Sequence, residues 1–252
     1  MNNHWKRILT PACAVLLLCC SLQAEQRCPV EVKLLLSPPE LHTIITSLEF
    51  GKETAGRVYF FDTDQLALLK QNVIIRVRQG ADNDLTVKVR VPEVNAKPAT
   101  NSHIRELFPC EIARTGAGED TDYSVRRKYT PTQVPLMGSD ISSQLSPPQK
   151  RLLQEAGVSI DWSQVRRIAD IKLTKWETGT QPPFRKLALE LWECPAVNIL
   201  EVSAKVAPDE GQSKYVELQR LVSAKQLALN ARQSTKTSLA LEAITHPTSP
   251  PK

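Results

Sequence analysis

Three stretches of the sequence carry charge at every second position: Glu31-x-Lys33, Arg76-x-Arg78 and Lys88-x-Arg90. A β-strand sends successive side chains to opposite faces. Each charged pair therefore shares one face of its strand, while Val30, Val32, Ile75, Val77, Val87 and Val89 share the other. The same alternation adds Glu111, Arg126 with Lys128, Asp170 with Lys172, Lys186 with Glu190, and Glu201 with Lys205. Arginine forks and lysine ammonium groups hold phosphate oxygens through charge-assisted hydrogen bonds. Carboxylates beside them would suit Mg²⁺ or Mn²⁺, hard ions that prefer oxygen ligands. Such an ion would bridge phosphate oxygens and help orient an attacking water. An antiparallel sheet with one solvated face gives the same alternation, and for any single strand that is the better reading. For the set, the recurrence of charge on early and late strands favours a shared basic cavity suited to a polyanion.

The elements that must position these residues follow from the same periodicity. Strands are expected over residues 30–36, 57–61, 73–79, 84–91, 104–113, 123–129, 168–176, 185–193 and 198–206. Pro109 limits its segment to an edge or a bulge. Gly80-Ala81-Asp82-Asn83 reads as a hairpin turn. Helices are expected after Ser37-Pro38-Pro39-Glu40, from Asp62 through Leu69, from Ser146-Pro147-Pro148 to Gly157, and over 209–228. Residues 92–102 read as a loop, and the proline-rich tail from Thr245 as disordered. The result is an α+β chain whose antiparallel strands close into a barrel or fold into a sandwich.

Composition bounds the function classes. Lys6-Arg7, the apolar run Ala12 to Cys20 and Ser21-Leu22-Gln23-Ala24 have the layout of a secretory signal peptide cleaved after Ala24. The run is too short to span a bilayer, which takes about 20 apolar residues, so no stable membrane anchor is expected. Removing residues 1–24 lowers the formal net charge from +5 to +3. That modest excess argues against nucleic acid as a partner. The mature chain keeps Cys28, Cys110 and Cys194, enough for one disulfide and one thiol, with no zinc spacing. The histidines are isolated, and neither a Gly-x-Ser-x-Gly elbow nor a glycine-rich phosphate loop occurs.

The chain resembles the CYTH superfamily, the triphosphate tunnel metalloenzymes. Pro29-x-Glu31-x-Lys33 is similar to the family's opening Glu-x-Glu-x-Lys. Tyr59-Phe60-Phe61-Asp62-Thr63 with Arg76-Val77-Arg78 resembles the family's tyrosine-aspartate-threonine to arginine-x-arginine stretch, and Thr86-Val87-Lys88 its following threonine-x-lysine strand. Cys110-Glu111, Leu189-Glu190, Leu200-Glu201 and Ser234-Thr235-Lys236-Thr237 resemble its later acidic strands and closing segment. The resemblance runs over about residues 28–240 and implies an antiparallel eight-stranded tunnel with peripheral helices. The domain is expected over 25–243, between signal peptide 1–24 and disordered tail 244–252.

The resemblance further implies that Lys33, Arg76, Arg78, Lys88, Arg90, Arg126, Lys172 and Lys186 hold a triphosphate or polyphosphate. Glu31, Glu190 and Glu201 would hold Mg²⁺ or Mn²⁺, and Glu111 and Lys33 would serve catalysis. Pro29, Pro109 and Ser203 stand where the family pattern has carboxylates. Two functions stay open: a metal-dependent triphosphate phosphohydrolase, and a non-catalytic anion-binding protein derived from one. Either is expected to be exported, to the periplasm.

Overall fold

The computed structural model describes residues 28–37, 41–80, 82–92, 98–130, 140–179 and 182–245. The expected signal peptide, the Pro38-Pro39-Glu40 helix start, Ala81 of the expected hairpin turn and the tail beyond Thr245 lie outside them.

Nine strands close into one barrel. They are β1 (Val30–Leu36), β2 (Glu53–Asp62), β3 (Val73–Gly80), β4 (Asp84–Pro92), β5 (Cys110–Thr115), β6 (Gly118–Lys128), β7 (Arg166–Glu177), β8 (Ala188–Glu193) and β9 (Asn198–Val206). Around the barrel the order is β1-β5-β6-β4-β3-β2-β7-β8-β9, returning from β9 to β1. The tunnel expected with eight strands has nine, and it is not antiparallel throughout. β1 meets β5 in parallel along a short ladder from Val30↔Ile112 to Val32↔Arg114. The Cys28–Cys110 disulfide staples this seam at the start of both strands. Cys194 is free and buried, and burial pushes its thiol up to about 11.

Among the described residues five α-helices lie on or in the barrel: α1 (Leu41–Ser47), α2 (Pro98–Leu107), α3 (Pro147–Glu155), α4 (Gly211–Ala224) and α5 (Lys236–Thr245). α3 starts where Ser146 and Gln149 form a capping box, with proline in its first turn, and Gly157 follows its end at φ +67°. The expected helix from Asp62 is instead a loop ending in a 3-10 turn over Leu69–Gln71. Buried Asp62 organises it, accepting hydrogen bonds from the amides of Thr63, Leu68 and Leu69. The stretch expected as one strand over 104–113 is the end of α2 followed by β5.

The aliphatic faces point outward and are covered by helices. Val73, Ile75, Val77, Leu85, Val87 and Val89 pack with Ile104 of α2 and Leu152 of α3. Val30, Val32, Leu34, Leu200 and Val202 pack with Ile44 of α1 and with Tyr215, Leu218 and Val222 of α4. Burying each such side chain contributes about 1.5–3 kcal/mol. The oily layer therefore lies outside the barrel wall, and the opposite face of the same strands is left to form the interior.

Candidate anion-binding tunnel

Register decides which side chains share the inner wall. Glu31 lies opposite Lys205, Lys33 opposite Ser203 and Leu35 opposite Glu201. Glu190 is opposite Glu201, Arg76 opposite Thr86, Arg90 opposite Asp122, and Asp122 opposite Glu111. Glu31 opposite Ala113 completes the ring across the parallel seam.

One part of this interior is apolar. Leu35, Val58, Phe60, Ile74, Ile171, Leu173, Trp192 and Ile199 form a cluster into which α5 inserts Ala240 and Leu241. The rings of Phe60 and Trp192 lie 5.8 Å apart. The rest of the interior is charged. Lys88 Nζ donates to Asp122 Oδ2 (2.7 Å), and Arg90 reaches the same carboxylate through Nε (2.8 Å) and Nη2 (3.0 Å). Arg90 Nη1 also donates to Thr235 Oγ1 at the start of α5 (3.1 Å). Arg78 pairs with Asp84 (2.6 Å) and Asp82 (2.9 Å). Thr86 Oγ1 donates to Asp84 Oδ1 (2.9 Å). Lys33 Nζ lies 2.8 Å from Glu31 Oε2. Lys236 Nζ bridges Glu190 Oε2 (2.6 Å) and Glu201 Oε1 (2.7 Å).

These groups sit in a poorly solvated place, and their ionisation reflects it. Burial would raise the Asp122 carboxyl, but Lys88 and Arg90 overcome that and hold it well below the usual carboxylate range. Burial likewise opposes ionisation of Glu190, and Lys236, Arg78 and Arg76 bring it down to about 2. Glu31 is held low by Lys33, against burial.

Arg76 differs from the other cations. No carboxylate among the described residues pairs with it, and its buried Nε has no hydrogen-bond partner. Burial, with repulsion from Arg78 and Arg126, lowers its guanidinium to about 10. It stays charged at neutral pH. Lys88 in turn feels Lys33 and Arg76, and Lys236 feels Lys33. Cations from β1, β3, β4 and α5 thus converge closely enough to repel one another, and Arg76, though Asp84 and Glu190 attract it, has no hydrogen-bond partner at its buried Nε.

Of the residues expected to hold phosphates, Lys33, Arg76, Arg78, Lys88 and Arg90 are brought together. Arg126 stands at the margin, half exposed, with Nε 3.7 Å from Asp84 Oδ2. Glu111 is also marginal and pairs with exposed Lys205 at 2.7 Å. Lys172 and Lys186 do not join them. Lys172 is on the outer face of β7, 60% exposed and paired with Glu193. Lys186 precedes β8 and pairs with Glu177 outside the charged cluster, 54% exposed. On β2 and β7 the polarity of the faces is inverted: Arg57, Asp170 and Lys172 look out, while Val58, Phe60, Ile171 and Leu173 look in.

The three carboxylates expected to hold a divalent cation do not form a ligand set. Among the described residues no group of three or more His, Cys, Asp or Glu side chains is arranged to hold a metal ion. Glu31 is engaged by Lys33 and by the Ser203 hydroxyl, which donates to it at 3.3 Å. Glu190 and Glu201 are joined by an ammonium. The residues present therefore do not fit a carboxylate-bound Mg²⁺ or Mn²⁺, which needs oxygen ligands at about 2.0–2.2 Å.

Reading from the sequence gave Asp84, Thr86, Asp120, Asp122 and Lys236 no role in the site. Asp84 and Thr86 lie within the strand expected over 84–91, in alternation with Lys88 and Arg90, while Asp122 and Asp120 lie one and three positions before the strand expected over 123–129.

Cavities of about 350 and 300 Å³ lie elsewhere, one beside Cys28, Arg105 and Tyr123, the other beside Asp64, Arg166 and Ile244. Neither is lined by the charged cluster. No described helix is long and apolar enough to cross a membrane.

No family model matches the sequence, and no curated protein does. Solved structures do match. One is a Hippeastrum protein described as a candidate adenylyl cyclase with a dominant triphosphatase activity; it aligns with a TM-score of 0.61 at 16% identity, over 84% of this chain and 95% of its own. Another, a Bacillus halodurans protein described as a candidate adenylate cyclase, aligns with a TM-score of 0.58 at 16% identity, over 84% of this chain and 97% of its own. The closed barrel is the fold that these two structures share with this chain.

Proposed function

We propose that the chain binds a triphosphate or polyphosphate-type anion in the charged part of its tunnel. The observation that carries this reading is Arg76: a half-buried arginine on the inner wall whose buried Nε has no hydrogen-bond partner. Leaving a buried charged donor unpaired is costly. A phosphate chain would supply acceptors to Arg76 and could draw Lys88, Arg90, Arg78 and Lys33 from their present carboxylate partners. Hydrolysis of the bound chain is the second reading, favoured by the fold shared with the Hippeastrum triphosphatase.

We also propose that the chain is exported. The Cys28–Cys110 disulfide suits an oxidising compartment, and residues 1–24 have the layout of a leader.

Calorimetry with tripolyphosphate on the mature chain and on Arg76→Ala tests the binding. Hydrogen bonds to charged groups contribute about 1.5–3 kcal/mol each, so the variant is expected to bind roughly 10- to 100-fold more weakly. Equal affinity, or no binding by the parent chain, overturns the reading. Phosphate release from tripolyphosphate over the same range separates an enzyme from a binding protein.

A further inference from the structure

We infer that the Lys236 ammonium takes the place of a divalent cation between Glu190 and Glu201, so that the phosphate chain is held here without a metal. This rests on the reading of the tunnel as a phosphate site and says how its acidic wall is neutralised.

Lys236 is the first residue of α5, and Thr235 caps that helix by accepting from the Ser238 amide at 3.3 Å. Ala240 and Leu241 are buried in the apolar part of the interior, which fixes the helix along the tunnel and aims its first residue at β8 and β9. There the ammonium is held on several sides. It lies 2.6 Å from Glu190 Oε2 and 2.7 Å from Glu201 Oε1, and 5.2 Å above the Trp192 ring. The Trp192 indole in turn donates to Glu190 Oε2 at 3.2 Å. Glu201 is 3% exposed, so its charge needs a partner within the fold, and Lys236 is that partner.

A lysine ammonium carries three donors. Two are engaged by Glu190 and Glu201, and the third remains for a phosphate oxygen. A bridging Mg²⁺ would serve the same end, joining carboxylate to phosphate, but it needs near-octahedral oxygen ligation at about 2.0–2.1 Å. Supplying it would require expelling Lys236 from between the two glutamates. It would also require a further oxygen ligand, and the neighbouring wall offers Ser203 and a Glu31 already engaged by Lys33. Arg90 holds Thr235, so the start of α5 links the arginine of β4 to the glutamates of β8 and β9 across the barrel.

The test has two independent arms on the mature, disulfide-intact chain. First, Mn²⁺ is titrated into protein without ligand and followed by electron paramagnetic resonance. The free-ion signal is expected to stay undiminished with the parent chain and to fall with Lys236→Gln, which frees Glu190 and Glu201 while keeping a side chain of similar length. Mn²⁺ bound by the parent chain and lost in Glu201→Gln overturns the inference. Second, tripolyphosphate is titrated in EDTA and in Mg²⁺. Affinities within about threefold are expected for the parent chain and for Lys236→Arg, with roughly tenfold or greater loss for Lys236→Gln in EDTA. Binding by the parent chain only in Mg²⁺ also overturns it. Failure of tripolyphosphate to bind in either buffer defeats the functional reading, while the Mn²⁺ arm still decides whether the ammonium excludes a metal. Circular dichroism of each variant checks that it folds.

Discussion

Asp122→Asn separates a tunnel built to receive an anion from one merely laced with internal ion pairs. Asp122 is 1% exposed and accepts from Lys88 Nζ, Arg90 Nε and Arg90 Nη2 at 2.7, 2.8 and 3.0 Å. Asparagine keeps the shape and removes the charge, leaving two cations on a poorly solvated wall. Removing one member of a buried ion pair is destabilising by about 3–5 kcal/mol. For a chain of this size each kcal/mol lowers the melting temperature by about 2–4 °C, so a fall of about 6–20 °C is expected. If Lys88 and Arg90 also serve the ligand, Asp122 competes with it in the parent protein, and the variant binds more tightly. Ligand at 100 times its dissociation constant stabilises by about 2.7 kcal/mol. Added tripolyphosphate is then expected to raise the melting temperature of Asp122→Asn more than that of the parent, closing much of the gap. Thermal melts by circular dichroism, with and without ligand, read both quantities. A ligand-induced shift no larger in the variant than in the parent would refute the role given to Lys88 and Arg90.

The remaining predictions concern the rest of the wall and the seam. The Glu190 carboxyl is lowered in the folded chain from an ordinary value of 4.5 to about 2. Its contribution to stability is thus present above about 4.5 and is lost as pH falls towards 2; urea titrations from pH 5 to 2 are expected to show a shallower decline for Glu190→Gln. Lys172→Ala and Lys186→Ala are expected to leave tripolyphosphate affinity within about twofold of the parent by calorimetry, because exposed ion pairs contribute about 0–1 kcal/mol and these two face away from the tunnel. Replacing Cys28 and Cys110 by serine is expected to lower unfolding stability by about 4 kcal/mol, measured in urea, since the bond closes a separation of 82 residues.

Much of the site was legible because alternation is a local property. Glu31, Lys33, Arg76, Arg78, Lys88, Arg90, Glu190 and Glu201 all fall on the inner wall that their spacing requires. Alternation defines two faces of a strand but not which one looks inward. On β7 the charged face carrying Lys172 is the outer one, because that side of the interior is filled by Ile171, Leu173 and the side chains of α5. Asp122 was missed because its strand was expected to start at 123, five residues after β6 begins at Gly118. Lys236 was undervalued because α5 is short, follows a polar stretch and gains its place from packing inside a barrel rather than from a strong local signal. The parallel seam between β1 and β5 could not be foreseen at all, since pairing partners far apart in sequence leave no mark on either strand alone.

That seam has a consequence for how the protein comes into being. β1 carries Glu31 and Lys33, yet its long antiparallel ladder is with β9, near the other end of the chain, and its contact with β5 is brief. During synthesis the first strand must wait for nearly all of the polypeptide before its main neighbour exists. Until then the Cys28–Cys110 bond is what keeps its beginning beside β5. The part of the wall that carries Glu31, Lys33, Glu190 and Glu201 is therefore among the last parts of the molecule to be assembled. A chain cut short before residue 198 would carry most of its cations on an open, incomplete sheet.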